Sequence, residues 1–200
     1  LAKTLLFSQN DQRRGQIFLP TIQALGFAAG CGGQFQTGAT LQQLAGAAAR
    51  TIHGRFNDLF DGEPTPEAVL AVPVAQLRAA GLSGAKTASI RDLAEKVVDG
   101  TVQLDRVGRL TDEEIVRELT LVRGIGRWTA EMFLMFQLGR LDVWPTGDFG
   151  VRKGYGLLYG LDPMPTANEL EERGDGFRPY RSVAAWYCWR AVDTVLPTAP

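Results

Sequence analysis

Leu121-Val122-Arg123-Gly124-Ile125-Gly126-Arg127-Trp128-Thr129-Ala130 lies between two segments whose apolar residues recur at helical spacing. Ile115, Leu119 and Val122 form a stripe before it, and Met132, Phe133, Met135 and Phe136 form another after it, out to about Leu138. Two glycines around an isoleucine can turn the chain tightly. Without side chains there, the backbone N–H groups opening the second helix can approach a phosphate closely. Ile125 is expected to anchor the turn in the core. Residues 112–138 therefore read as a helix-hairpin-helix, a sequence-tolerant grip on a nucleic-acid backbone. A bare Gly-x-Gly corner occurs in any helical protein, but Arg123 and Arg127 beside the turn, and Thr129-Ala130 opening the next helix, favour the phosphate reading.

Outward from the hairpin the chain is punctuated as helices. Thr111-Asp112-Glu113-Glu114 is a capping-box start, and Gly124 must end the helix it opens. Upstream, Thr40-Leu41-Gln42-Gln43 begins a helix through Leu44, Ala48, Ile52, Phe56 and Leu59, weakened at Gly54. Thr65-Pro66-Glu67 supplies a cap, a first-turn proline and an acid that favours the helix dipole. A short helix from Val74 should stop at Gly81, and Ser83 should cap a longer one carrying the stripe Ile90, Leu93, Ala94 and Val97 to about Gly100. Downstream come a helix after Asp148, one capped by Thr166 with Glu169, and a last one over about Pro179 to Val192. Residues 1–39 are crowded with glycine and show one weak periodic segment, Ile17 to Phe27. The expected fold is all-α and two-lobed, with lobe boundaries near residues 40 and 145 and the N-terminal segment packing on the C-terminal helices.

Composition narrows the function. The chain has 200 residues, 45% hydrophobic and 22% charged, and no apolar run of a membrane span's length, about 18 residues. Leu1-Ala2-Lys3-Thr4 lacks the order of a signal peptide, so a cytoplasmic address is the expectation, and the chain is expected to act as a monomer. Twenty-one basic against 22 acidic residues leave a net charge of −1, so contact with nucleic acid would have to run through a local patch or helix-end amides. Two distant cysteines, Cys31 and Cys188, cannot form a thiolate cluster, and the single histidine, His53, cannot build a multi-histidine metal site.

Twenty residues past Trp128 comes Asp148, within Leu141-Asp142-Val143-Trp144-Pro145-Thr146-Gly147-Asp148-Phe149-Gly150-Val151-Arg152. Here the chain resembles the helix-hairpin-helix (HhH-GPD) DNA glycosylases, and within them the bacterial 3-methyladenine DNA glycosylase II type. The likeness runs over roughly residues 40 to 192. It includes the Gln42-Gln43 helix start, Gly81-Leu82-Ser83 with Lys86, the hairpin, the aspartate loop, and Pro179-Tyr180-Arg181-Ser182 ahead of an aromatic helix. Residues 1–39 do not look like the family's usual lead-in, and Ala45 stands where a serine often follows the glutamine pair.

The resemblance implies excision of flipped-out alkylated purines from damaged double-stranded DNA, through a transition state with positive charge on the sugar. Asp148 is then the carboxylate that stabilises this charge, although aspartate is also a favoured helix cap. Trp128 and Trp189 correspond to base-pocket positions. Met132 lies one turn after Trp128, and Tyr187, Trp186 and Trp144 lie near these positions in sequence; core packing is the alternative for each aromatic. Gln43 with Leu44 matches the wedge that fills the vacated stack, or is simply part of a cap with Thr40. Arg123, Gly124, Ile125, Gly126, Arg127 and Thr129 would meet the DNA backbone, and the carbonyls of Thr120, Val122 and Gly124 would hold a structural Na+ or K+. Arg152, Lys153, Arg181 and Arg190 neutralise phosphates or merely solvate helices. Tryptophan at 128, where bifunctional members carry a Schiff-base lysine, implies a monofunctional enzyme with no catalytic cofactor, and two cysteines exclude an iron–sulfur cluster. A glycosylase for oxidised or deaminated bases and a non-catalytic helix-hairpin-helix DNA-binding protein are the alternatives.

Overall fold

The computed structural model describes residues 51–60 and 64–193. The helix start at Thr40, the wedge pair Gln43 and Leu44, Cys31 and residues 1–39 lie outside them. The described residues contain helices and no strand. They are α1 (51–57), α2 (Pro66–Ala71), α3 (Val74–Ala79), α4 (Gly84–Val98), α5 (Asp112–Thr120), α6 (Arg127–Phe136), α7 (Phe149–Tyr159), α8 (Ala167–Arg173) and α9 (Arg181–Asp193). The chain divides into two compact units between Phe133 and Leu134, inside α6.

In the first unit the helix starts follow local chemistry. Thr65 Oγ1 accepts the Ala68 N–H at 3.2 Å with Pro66 in the first turn, and Ser83 Oγ accepts the Lys86 N–H at 3.2 Å. Thr111 and Glu114 close the expected capping box on α5. Gly81, at φ +106°, takes the chain from α3 toward Ser83 in a conformation that L side chains rarely adopt. α4 buries the predicted stripe of Ile90, Leu93, Ala94 and Val97 and packs on α2. Its Arg91 donates to the Leu70 and Val72 carbonyls, which α2 leaves unpaired at its end. Between α4 and α5 the structure adds a 3-10 turn, Leu104–Arg109, that buries Leu104 and Val107. The expected helices did not include it.

In the second unit α7 and α9 pack along each other, over a core of Trp144, Val151, Tyr155, Leu170, Ala185 and Cys188. Gly154 makes the approach possible, because a Cβ there would fall inside the backbone carbonyl of Cys188. Gly174 accommodates the Trp144 indole in the same way, its Cβ position lying 2.5 Å from Cδ1. α9 begins at Arg181, two residues later than expected. Trp144 is a core residue, 5% exposed, with its ring packed against Tyr155 and Phe177. Its Nε1–H donates to the Leu170 carbonyl at 2.8 Å. Trp144→Phe is expected to leave that buried carbonyl unpaired and to cost about 1–3 kcal/mol, visible as a lower urea midpoint with an unchanged slope.

Candidate active site

The loop before α7 presents Asp148. Its carboxylate caps the helix, Oδ1 accepting the Val151 N–H at 2.8 Å, and the same oxygen accepts the Trp189 Nε1–H at 2.9 Å from α9. The side chain is buried, with the residue 6% exposed. A carboxylate that terminates a helix is held by geometry the sequence announces; its contact with an indole 41 positions away is not announced. Trp189 is half-buried and stacks on Phe136, the ring centroids 5.9 Å apart and the planes 29° apart. Gly150 completes the cradle: a Cβ there would stand 2.8 Å from Trp189 Cδ1 and 3.1 Å from Asp148 Oδ1.

The structure therefore brings Asp148 and Trp189 together, but not Tyr187. Tyr187 is two residues from Trp189 on a helix, about 200° around the axis, and lines a separate groove with Tyr155, Tyr159, Phe177, Tyr180 and Val183. Trp186 is exposed and carries the Arg190 guanidinium 5.8 Å above its ring. Arg181 is drawn inward, donating to both Asp142 carboxylate oxygens and to the Asp142 carbonyl. That ion pair, with the Asp142 carboxyl held below its ordinary range chiefly by Arg181, gives Arg181 a structural task. Arg152 donates to the Pro165 carbonyl at 2.8 Å, while Lys153 is exposed.

In the first unit the hairpin spans residues 121–126 between α5 and α6, as its glycines predict. Ile125 and Val122 are buried and anchor it. Gly124 has φ +78°, and its Cβ position lies 2.6 Å from Ser89 Oγ, so the turn sits directly on α4. Asp92 of α4 accepts the Arg123 backbone N–H at 2.7 Å, which ties the start of the turn to that helix. Arg127, expected beside the phosphate, is paired within the protein. Its guanidinium binds Glu113 at 2.7 Å and Glu131 at 3.0 Å, and Glu113 holds it in the charged form. The Arg123 side chain and Gly126 are exposed, Thr129 and Trp128 are half-buried, and Met132 is buried at 7% exposure. The Val122 carbonyl accepts the Ile125 N–H at 3.0 Å.

Over residues 39–179 the sequence matches the HhH-GPD superfamily of base excision DNA repair proteins. The chain belongs to that superfamily. It is 36% identical over 165 residues to DNA-3-methyladenine glycosylase 1 of Schizosaccharomyces pombe, covering 80% of this chain and 72% of that protein. Among solved structures, the S. pombe 3-methyladenine DNA glycosylase Mag1 in complex with abasic DNA aligns with TM-score 0.71 and 31% identity, over 90% of this chain and 82% of that one. A DNA-3-methyladenine glycosidase from Bacillus halodurans aligns with TM-score 0.71 and 34% identity, over 88% and 76%.

For this HhH-GPD chain, sequence reasoning missed the groups that hold the two motifs in place: Ser89 and Asp92 under the hairpin, Glu113 and Glu131 on Arg127, and Gly150 under Trp189. None has a local signature, although Asp92 does stand four residues before Lys96, a helical ion-pair spacing that the structure realises at 2.6 Å. Burial pushes the Asp92 carboxyl up, but the Arg123 N–H and the Lys96 ammonium outweigh it and hold the group below its ordinary value. A depressed carboxyl stabilises the fold above its unfolded value, about 3.9, and loses that contribution as pH falls through the folded value. Asp92→Asn is thus expected to lower the urea midpoint at pH 7, and the gap from the unaltered protein should close below about pH 4. A gap that stays constant with pH would show that Asp92 acts by shape alone.

Among the described residues, no group of three or more His, Cys, Asp or Glu side chains could hold a metal ion, and no helix is long and apolar enough to cross a membrane.

Proposed function

We propose that this chain is a monofunctional DNA glycosylase that hydrolyses the N-glycosidic bond of alkylated purines of the 3-methyladenine and 7-methylguanine type in base excision repair. The observation that carries this reading is the buried Asp148 carboxylate, held by two N–H donors beside an indole, in a superfamily member whose relatives are named 3-methyladenine glycosylases. The target nucleotide is flipped out of damaged double-stranded DNA, at a cost of a few kcal/mol. The bond between C1′ of the sugar and the base nitrogen breaks, and the base leaves with the electron pair. An alkylated purine already carries positive charge, so it departs as a neutral molecule. Asp148 stabilises the cationic sugar and accepts a proton from the water that adds to C1′, leaving an abasic site.

Trp189 offers the charged base an aromatic face beside the carboxylate, a cation–π contact that phenylalanine at 189 would also make. Trp128 is assigned a base-facing task by its place in the family pattern, and Met132, one turn later on α6, shares its face. Since residue 128 is tryptophan and not lysine, no Schiff base forms and the strand is not nicked. The hairpin supplies the backbone grip, with the Arg123 side chain, Gly124, Gly126 and Thr129 toward phosphate and Ile125 as anchor. Among the described residues a Cβ at 126 would meet no atom within 4 Å. The open backbone suits a phosphate approaching from outside. By the family pattern, the carbonyls of Thr120, Val122 and Gly124 would hold a Na+ or K+ at the same turn. One N–H on the Val122 carbonyl leaves its second lone pair for the ion. Such an ion would add positive charge next to the phosphate.

The deciding experiment incubates the purified protein with duplexes that each carry one defined lesion, and measures free base and strand integrity. Release of 3-methyladenine or 7-methylguanine without strand cleavage is expected. Release confined to oxidised or deaminated bases would move the enzyme to another lesion class, and binding with no release would make it a DNA-binding module.

A further inference from the structure

We propose that Trp189 is a positioning residue for the Asp148 carboxylate, and that residue 150 is glycine so that the indole can reach it. The proposal rests on the reading of Asp148 as the reacting carboxylate. A helix cap by itself fixes one oxygen of an aspartate through one backbone donor and leaves the plane of the carboxylate to pivot about that contact. Here two donors converge on Oδ1 from different elements, the Val151 N–H of α7 at 2.8 Å and the Trp189 Nε1–H of α9 at 2.9 Å. Donors to an ionised oxygen are among the stronger hydrogen bonds, and two of them at a buried site set its direction.

The indole is itself held on two sides. Phe136 stacks against it, the centroids 5.9 Å apart, and covers one face of the ring. Gly150 lies on the carboxylate side, where a Cβ would stand 2.8 Å from Cδ1, 3.1 Å from Nε1 and 3.1 Å from Asp148 Oδ1. Any side chain there must displace the indole, the carboxylate or both. Gly150 is the second residue of α7, where glycine brings no turn and φ is not positive. The close approach of the indole is what glycine permits. Simple pocket packing would call for an aromatic face at 189; it would not call for a nitrogen aimed at the oxygen that caps α7.

Trp189→Phe keeps the aromatic face and removes the donor. Gly150→Ala keeps the donor and displaces it. Each is expected to lower the single-turnover excision rate about 10- to 100-fold, the scale of a reacting group misplaced by up to about 1 Å, with the dissociation constant for lesion DNA unchanged within twofold. A residue acting through Asp148 has nothing to position once the charge is gone. The double variant Asp148→Asn/Trp189→Phe should therefore be no slower than Asp148→Asn alone.

An unchanged rate in Trp189→Phe overturns the proposal. So does a loss confined to DNA affinity, or a full additional loss in the double variant, since either makes the indole a binding surface in its own right. If Gly150→Ala fails to fold, Trp189→Phe and the double variant decide. If Asp148→Asn retains full activity, the carboxylate reading itself fails, a result separate from all of these.

Discussion

Asp148→Asn is expected to lower the single-turnover rate of base release on the order of 10³-fold while leaving DNA binding intact, because it removes one full charge from beside the developing cation. The two donors to Oδ1 tolerate the change. Asparagine is as good a helix cap as aspartate, and its side-chain oxygen can accept from both Val151 N–H and Trp189 Nε1–H. α7 therefore keeps its start, and the indole N–H keeps its acceptor. Asp148→Ala is a poorer probe: it would also remove the cap, at about 1 kcal/mol, and strand a partly buried indole donor. Rates from alkylated duplexes, with affinity from the same DNA by fluorescence anisotropy, separate the charge from the cap. Full activity in the asparagine variant would reduce Asp148 to a structural capping residue.

Gly154→Ala carries the largest expected loss of stability. At Gly150 the obstacle to a methyl group is a side chain that can turn; at Gly154 it is the Cys188 carbonyl, part of the α9 backbone. The helices must separate, and the loss should reach about 3 kcal/mol or more, lowering the melting temperature by about 6–12 °C. Cys188 reports the separation directly. Burial pushes its thiol up to about 11, so in a Cys31→Ser background the native protein should resist thiol-directed reagents at pH 8. Gly154→Ala should label many times faster under the same conditions. A variant with unaltered melting and labelling would mean that α7 and α9 do not pack at this distance in solution.

The parts of this molecule legible in the sequence are those governed by neighbours along the chain. Thr65, Ser83, Thr111 and Thr166 announce helix starts because a cap needs only a hydroxyl and the next few amides, and each does so in the structure. The hairpin was legible for the same reason. What escaped was set by approach across the chain. Leu104 and Val107, three apart, carry a 3-10 period too short to register as a helix. Arg181 reads as a surface or phosphate-binding charge until Asp142, 39 positions away, is seen beneath it. Arg127 reads likewise until Glu113 and Glu131 are placed around it. Tyr187 and Trp189 are close in sequence yet face different ways, a consequence of helical rotation that nearness in sequence conceals. Gly150 and Gly154 look only like weak points in a helix, since the indole and the carbonyl that require them come from the last helix of the chain.

Those same glycines govern how α7 exists at all. With Gly150, Gly154 and Gly156 among its eleven residues, the segment has poor intrinsic helicity, each glycine costing about 1 kcal/mol relative to alanine. As an isolated peptide it should be coil. Its order is lent by α9, so the two should gain and lose protection from hydrogen exchange together, as one cooperative unit. Asp148 and Trp189, one from each partner, would then disengage in the same opening event.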